Sequence, residues 1–289
     1  MISTVTTAES SYREHLAQQS PLLTSALEAA IPVDPSADDP ASRLARGLCF
    51  MPSCIEDTER PPFSIARQSM MDHGVRQAAL AAEICTDDEI SRSLPTWFDP
   101  RLFGQLLITA DVGLAFVPDT EVETIDTYGP KYAVNYEGHP EWGYRMAENI
   151  SDLPDASSRI LACAIGRHHK VQARHPYGLE WDQMRHHGID TVGVDMLIAI
   201  QKPLDYFDDF FTRRGVEPGQ YAARIAHPLR RFSLSIGAML SRNLLLVGAA
   251  EARGFDLELP LKIAAKIQDV LLDDTSAIAD VYRNLHAAA

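Results

Sequence analysis

Between Thr109 and His169, three histidines and an aspartate stand at the ends of segments that otherwise read as helices. The stretch opens T-A-D-V-G-L-A-F-V-P-D (109–119), passes through G-H-P-E-W-G-Y-R-M (138–146) and closes on I-G-R-H-H-K (165–170). Asp111, His139, His168 and His169 supply the oxygen and nitrogen donors that bind divalent transition metals such as Fe, Mn, Ni or Zn. One more histidine, His73 in M-D-H-G-V-R-Q-A-A-L-A-A-E-I, opens another helical pattern upstream and would complete a cluster. Histidines scattered over a helical protein are ordinarily surface or satisfied core residues, so the elements that position these five matter as much as their identity.

Those elements are almost all helical by pattern. Residues 9–30 carry Leu16, Leu22, Leu23 and Leu27 at helical intervals, and P-V-D-P-S-A-D-D-P (32–40) follows as an extended connector. A helical segment is expected over 41–55 and a break at E-D-T-E-R-P-P (56–62). The periodicity then predicts helices over 69–85, 101–108 after Pro100, from Pro140 onward, and 156–169. A helix ending in His168-His169 leaves both rings near its C-terminus. Residues 119–137 read as a long polar loop with room for one short helix. A long helix is expected over 192–213, with Pro203 kinking or dividing it because its ring removes a backbone donor. Further helices are expected over 220–238, 239–250, 259–272 and 275–286. Strand signals are scarce, so the fold class is all-α. The chain divides into an N-terminal helical segment and connector (1–60), a central helical domain (61–215) and a C-terminal helical extension packed on it (216–289).

Composition sets the outer bounds. The chain of 289 residues is 46% hydrophobic and 23% charged, with a net charge of −14. That acidity argues against non-specific binding to nucleic acid or to anionic membrane, both of which need a basic face. Cys49, Cys54, Cys85 and Cys163 form no C-x-x-C pair, and the N-terminus lacks a basic and apolar leader, which together suggest reduced thiols in a cytoplasmic protein. The most apolar run, Leu244 to Ala250, is too short to span a bilayer. Locally the sign reverses. Arg159 to His187 holds five Lys/Arg against two acids, plus five histidines, and Arg167, Lys170, Arg174 and Arg185 would suit a phosphorylated ligand.

In order and spacing, the donor residues resemble the HD superfamily of metal-dependent phosphohydrolases, most closely its HD-GYP branch, over roughly residues 61–210. That family runs from a lone His on a helix to an HD pair in H-D-I-G-K-x-x-I-P-D, an H-P-x-x-G, an HH pair and a late Asp in a pattern like A-V-A-D-V-F-D. Here His73, Ala110-Asp111, His139-Pro140-Glu141-Trp142-Gly143 and His168-His169 stand at those positions, and V-P-D (117–119) replaces I-P-D. The departures are specific. The histidine of the HD pair is Ala110, and the motif lysine is Leu114. Lys202, in A-I-Q-K-P-L-D, falls at the late aspartate. Lys170 replaces the glutamate after the HH pair, and the G-Y-P loop is only echoed by His175-Pro176-Tyr177-Gly178.

The resemblance implies an HD-domain-like helical bundle with helical N- and C-terminal extensions. It implies two metals that share Asp111, one of them held with His139, His168 and His169. The other would keep only His73 and Asp111, so fewer than two ions per chain are expected. Lys202 and Asp111 would then be the residues of the reaction centre, with the ammonium in the vacated metal position and paired to Asp111. Asp195, or else Asp205, is the candidate substitute ligand. Arg167, Lys170, Arg174 and Tyr177 would contact the substrate. The leading expectation is a degenerate HD-GYP-like domain that binds metal or a phosphorylated small molecule such as a cyclic dinucleotide, with phosphodiester hydrolysis impaired or lost, and acts as a binding or regulatory module. An active phosphohydrolase with one metal or a substitute ligand is the alternative. The di-iron oxygenase branch stands third, because it demands the full ligand set, and a helical protein with coincidental motifs stands fourth. A homodimer or a protein partner is compatible with all of these.

Overall fold

A computed structural model describes residues 16–18, 20–30, 70–115, 123–125, 132–135, 138–150, 156–169, 179, 181–186, 188–213 and 244–287. The expected connector at 32–40, the segments at 41–55 and 56–62, and the helix at 220–238 lie outside these residues. Eleven α-helices are seen among the described residues: α1 (Pro21–Ala30), α2 (Met70–Cys85), α3 (Asp88–Ser93), α4 (Pro100–Thr109), α5 (His139–Ile150), α6 (Ala156–Arg167), α7 (Trp181–His186), α8 (Thr191–Arg213), α9 (Leu244–Glu251), α10 (Leu259–Leu272) and α11 (Ala277–Ala287). A 3₁₀ turn, Val112–Ala115, follows α4. The fold is all-α, as expected.

Local chemistry accounts for the helix boundaries. Asp99 accepts from the backbone N–H groups of Arg101 and Leu102, and Pro100 starts α4 with its ring in place of a donor that would otherwise lack a partner. Asp87 caps α3 in the same way. Gly188 ends α7 at φ +70°, where the Ile189 N–H reaches back to the Met184 carbonyl. The helix over 191–213 is continuous. Pro203 lies inside it without dividing it, because the packing of an apolar face outweighs one lost backbone hydrogen bond. The polar loop expected at 119–137 instead contains two short antiparallel strands, Glu123–Ile125 and Tyr132–Asn135, paired Glu123 to Asn135 and Ile125 to Tyr132. Their β-branched and aromatic residues form runs too short to register as periodicity.

The helices pack as layers around α2 and α8. Helix α2 lies against α1, α4 and α8, and α8 lies against α6 and α10. The C-terminal α10 and α11 pack on α2 and α8, so the last part of the described chain closes over the same core. Leu106, Ile165, Ile198, Phe207, Ile267 and Tyr282 are buried there. None of the described helices is long and apolar enough to cross a membrane.

Two glycines permit the backbone approaches that this packing needs. A Cβ on Gly74 would lie 2.5 Å from Ile108 Cα, so α2 and α4 can meet here only if that atom is absent. At Gly113, in the 3₁₀ turn, a Cβ would lie 1.8 Å from the His139 carbonyl oxygen and 2.6 Å from the Gly143 nitrogen. Gly113→Ala should therefore force the turn away from α5 and lower stability by about 1–3 kcal/mol. Thermal unfolding reads this directly, and an unchanged midpoint would show that the turn does not seat on α5 as described.

Candidate metal centre

Three helix ends deliver the first group of donors. Asp111 lies just past Ala110, the C-cap of α4; His139 opens α5; His168 and His169 follow the last residue of α6. The Nε2 atoms of His139 and His168 each lie 3.2 Å from Asp111 Oδ1 and 3.1 Å from one another. His169 Nε2 is 3.2 Å from His139 Nε2. Bonds of about 2.0–2.1 Å from one ion hold neighbouring donors roughly 2.9–3.4 Å apart in octahedral or tetrahedral arrangement. These four residues fit that spacing and could hold a metal ion.

Protonation agrees with the geometry. His168 Nδ1 lies 2.7 Å from the Ile165 carbonyl oxygen. A carbonyl only accepts, so Nδ1 carries a hydrogen and Nε2 is the ring atom left facing Asp111. Burial holds the His168 ring below its ordinary value, and burial together with the neighbouring His168 and Lys202 holds His169 well below it. Asp111 is pushed up by burial, but contacts from His139, His168 and His73 more than offset this and keep it ionised. Neutral imidazoles facing an ionised carboxylate are the forms that ligate a metal.

The second group shares Asp111 through its other oxygen. His73 Nε2 lies 3.2 Å from Asp111 Oδ2 and 3.5 Å from Asp205 Oδ1, and these three residues too could hold an ion. Behind His73, Asp208 accepts from Nδ1 at 2.6 Å, which turns Nε2 toward the centre. Asp208 is fully buried and also accepts from Arg76 Nε at 2.8 Å, Arg76 Nη2 at 3.0 Å and the Tyr282 hydroxyl at 2.6 Å. Burial alone would lower the His73 pKa, but Asp208, Asp111 and Asp205 together raise it well above the ordinary value. The pocket favours positive charge.

Several expected roles are corrected by position. Lys202 is buried, and its ammonium lies 2.7 Å from Asp205 Oδ2, a carboxylate other than the Asp111 expected as its partner. It therefore orients the carboxylate whose other oxygen faces His73. Asp195 cannot serve as the substitute ligand as it stands, because Arg167 holds both of its oxygens, with Nε at 2.5 Å and Nη2 at 3.1 Å. Arg167, expected to contact the substrate, is committed to this ion pair. It is buried and also donates through Nη1 to the Leu179 carbonyl at 2.6 Å. Lys170, Arg174 and Tyr177 lie outside the described residues. Asp205, the other candidate substitute ligand, stands in the second group of donors that could hold an ion. Asp208, Arg76 and Tyr282 went unnoticed, although Asp205 and Asp208 are three residues apart on a helix and so share a face.

Asp111 and His169 are the partly exposed members of the cluster, while His73, His139, His168, Lys202 and Asp205 are buried. No family model, curated protein or solved structure matches the chain.

Proposed function

We propose that this chain is a metal-dependent phosphohydrolase resembling the HD-GYP branch of the HD superfamily, with an asymmetric centre for two divalent ions in a helical bundle of that kind. The observation that carries the reading is the division of Asp111: one carboxylate oxygen faces His139 and His168, and the other faces His73. Asp111 would then serve both groups of donors, and each group would hold one ion. The half-site with His139, His168 and His169 has three nitrogens and suits Zn, Fe or Ni, and the half-site with His73 and Asp205 is richer in oxygen.

Bound ions would supply a water of lowered pKa and a clamp on phosphoryl oxygens. The protein's own contribution is positional. Ile165 and Asp208 fix the tautomers of His168 and His73, and Lys202 aims Asp205. The Lys202 ammonium also leaves the centre a fixed positive charge, which suits a phosphorylated small molecule or a cyclic dinucleotide.

A second reading has its own support. Ala110 contributes no donor, and the buried Lys202 offsets the charge of Asp205, so the second ion would be held weakly. In that case the chain is a binding or regulatory module that retains one ion. The deciding experiment is metal analysis of purified protein, followed by hydrolysis of bis-p-nitrophenyl phosphate and of cyclic dinucleotides with and without added Mn²⁺. Hydrolysis abolished by EDTA and restored by Mn²⁺ is expected. Ion binding without turnover would favour the module, and protein that takes up no ion would end both readings.

A further inference from the structure

The two half-sites are unequal in donors. Asp111, His139, His168 and His169 make four, while His73, Asp111 and Asp205 make three. One more buried polar group reaches the smaller set. Gln77 lies one helical turn after His73 on α2, and its Nε2 is 2.7 Å from His73 Nε2. Its Oε1 is buried and has no hydrogen-bond partner among the described residues.

The two ends of a side-chain amide exchange by a half-turn about one bond, and only their neighbours decide which end points where. As placed, the amide nitrogen faces His73 Nε2, the atom that Asp208 directs toward Asp111 and Asp205, so a hydrogen-bond donor stands where a cation would need an acceptor atom. That arrangement leaves a buried oxygen unsatisfied and blocks any cation from His73. Turned over, the amide sets its oxygen beside His73 Nε2, whose other neighbours are oxygens of Asp111 and Asp205. Ligands four residues apart on a helix face one site, as in the paired histidines of H-E-x-x-H.

We infer that Gln77 turns its amide oxygen to the centre and is the fourth protein ligand of the His73–Asp111–Asp205 half-site. This rests on the reading of that cluster as a cation site. One nitrogen and three oxygens form a hard donor set, so the ion it takes is Mn²⁺ or Mg²⁺ in preference to Zn²⁺. The two halves of the centre then differ in metal as well as in affinity.

The test uses the full chain with one equivalent of Zn²⁺ to fill the histidine-rich half, then a titration with Mn²⁺ in which the free ion is followed by electron paramagnetic resonance. Wild type should bind one further Mn²⁺. Gln77→Leu should weaken that binding at least about tenfold, the loss that outer partners of a ligand already produce. Gln77→Glu, which keeps an oxygen in place, should bind as tightly or more tightly. A Gln77 that only donates to His73 predicts the opposite sign, since leucine would free His73 Nε2 and leave Mn²⁺ affinity unchanged or raised. Melting in EDTA checks the fold: a single cooperative transition in Gln77→Leu shows that its loss of Mn²⁺ binding is not a loss of structure. Wild type that binds no ion beyond the Zn²⁺ overturns the two-ion reading and this assignment with it. Wild type that binds two, with undiminished Mn²⁺ affinity in Gln77→Leu or with Gln77→Glu as weak as leucine, overturns the assignment alone.

Discussion

Replacing Asp111 with asparagine should empty both half-sites at once, whereas His139→Ala should empty only the histidine-rich one. The asymmetry follows from the contacts. Both oxygens of Asp111 are in use, Oδ1 beside His139 and His168 and Oδ2 beside His73. His139 touches Asp111, His168 and His169 and lies in one cluster. Asparagine keeps the shape but loses the charge, and it can present an oxygen to only one side. The affinity loss should be at least about a hundredfold at the tighter half-site, above what the removal of outer partners costs. Metal analysis after exhaustive dialysis reads the result as ions per chain. Added metal should also raise the melting temperature of wild type, by about 2.7 kcal/mol of stability at a hundredfold excess over the dissociation constant, and should leave Asp111→Asn unmoved. Equal metal content in Asp111→Asn and wild type would show that the carboxylate does not bridge.

The five donors His73, Asp111, His139, His168 and His169 were legible because each stands near a helix end or a helix start that caps and periodicity mark. What failed was register within a helix. In A-I-Q-K-P-L-D, Lys202 falls at the late aspartate. In the folded chain the α8 carboxylate that faces His73 Nε2 is Asp205, three residues on from Lys202. Residues three apart share a helix face, so amphipathic periodicity cannot separate the two registers, and only the distance to His73 does. Arg167 failed for a different reason. A local excess of positive charge predicts a ligand-binding patch, but the partner that takes its charge, Asp195, lies 28 residues away in sequence and becomes visible only once α6 and α8 are packed. The all-α class was legible throughout, and the strands at 123–125 and 132–135 were missed because runs of three and four residues carry no period to read.

Asp208→Ala should be the most destabilising single change away from the ligands themselves. The carboxylate is fully buried and accepts from Arg76, His73 and Tyr282, which belong to α2 and to the C-terminal α11. Alanine would leave the Arg76 guanidinium, only 1% exposed, without its paired carboxylate. Removal of one partner from a buried ion pair costs about 3–5 kcal/mol, because the remaining charge cannot be rehydrated. The cost should depend on pH, with a definite sign. Burial pushes the Asp208 carboxyl up, but Arg76 and His73 more than offset it and hold the group well below the usual carboxylate range. A carboxylate depressed in the folded state contributes in full above its unfolded value of about 3.9, and that contribution is lost as pH falls through the folded value. The gap in melting temperature between wild type and Asp208→Ala, measured in EDTA, should therefore be widest near neutrality and narrow below about pH 4. Asp208→Asn should fall between the two, since it keeps acceptors for Arg76 and Tyr282 but no charge. A gap that stays constant from neutrality to acid would mean that Asp208 acts through shape alone. In that event the α2–α8–α11 junction would not be the charged anchor that fixes His73.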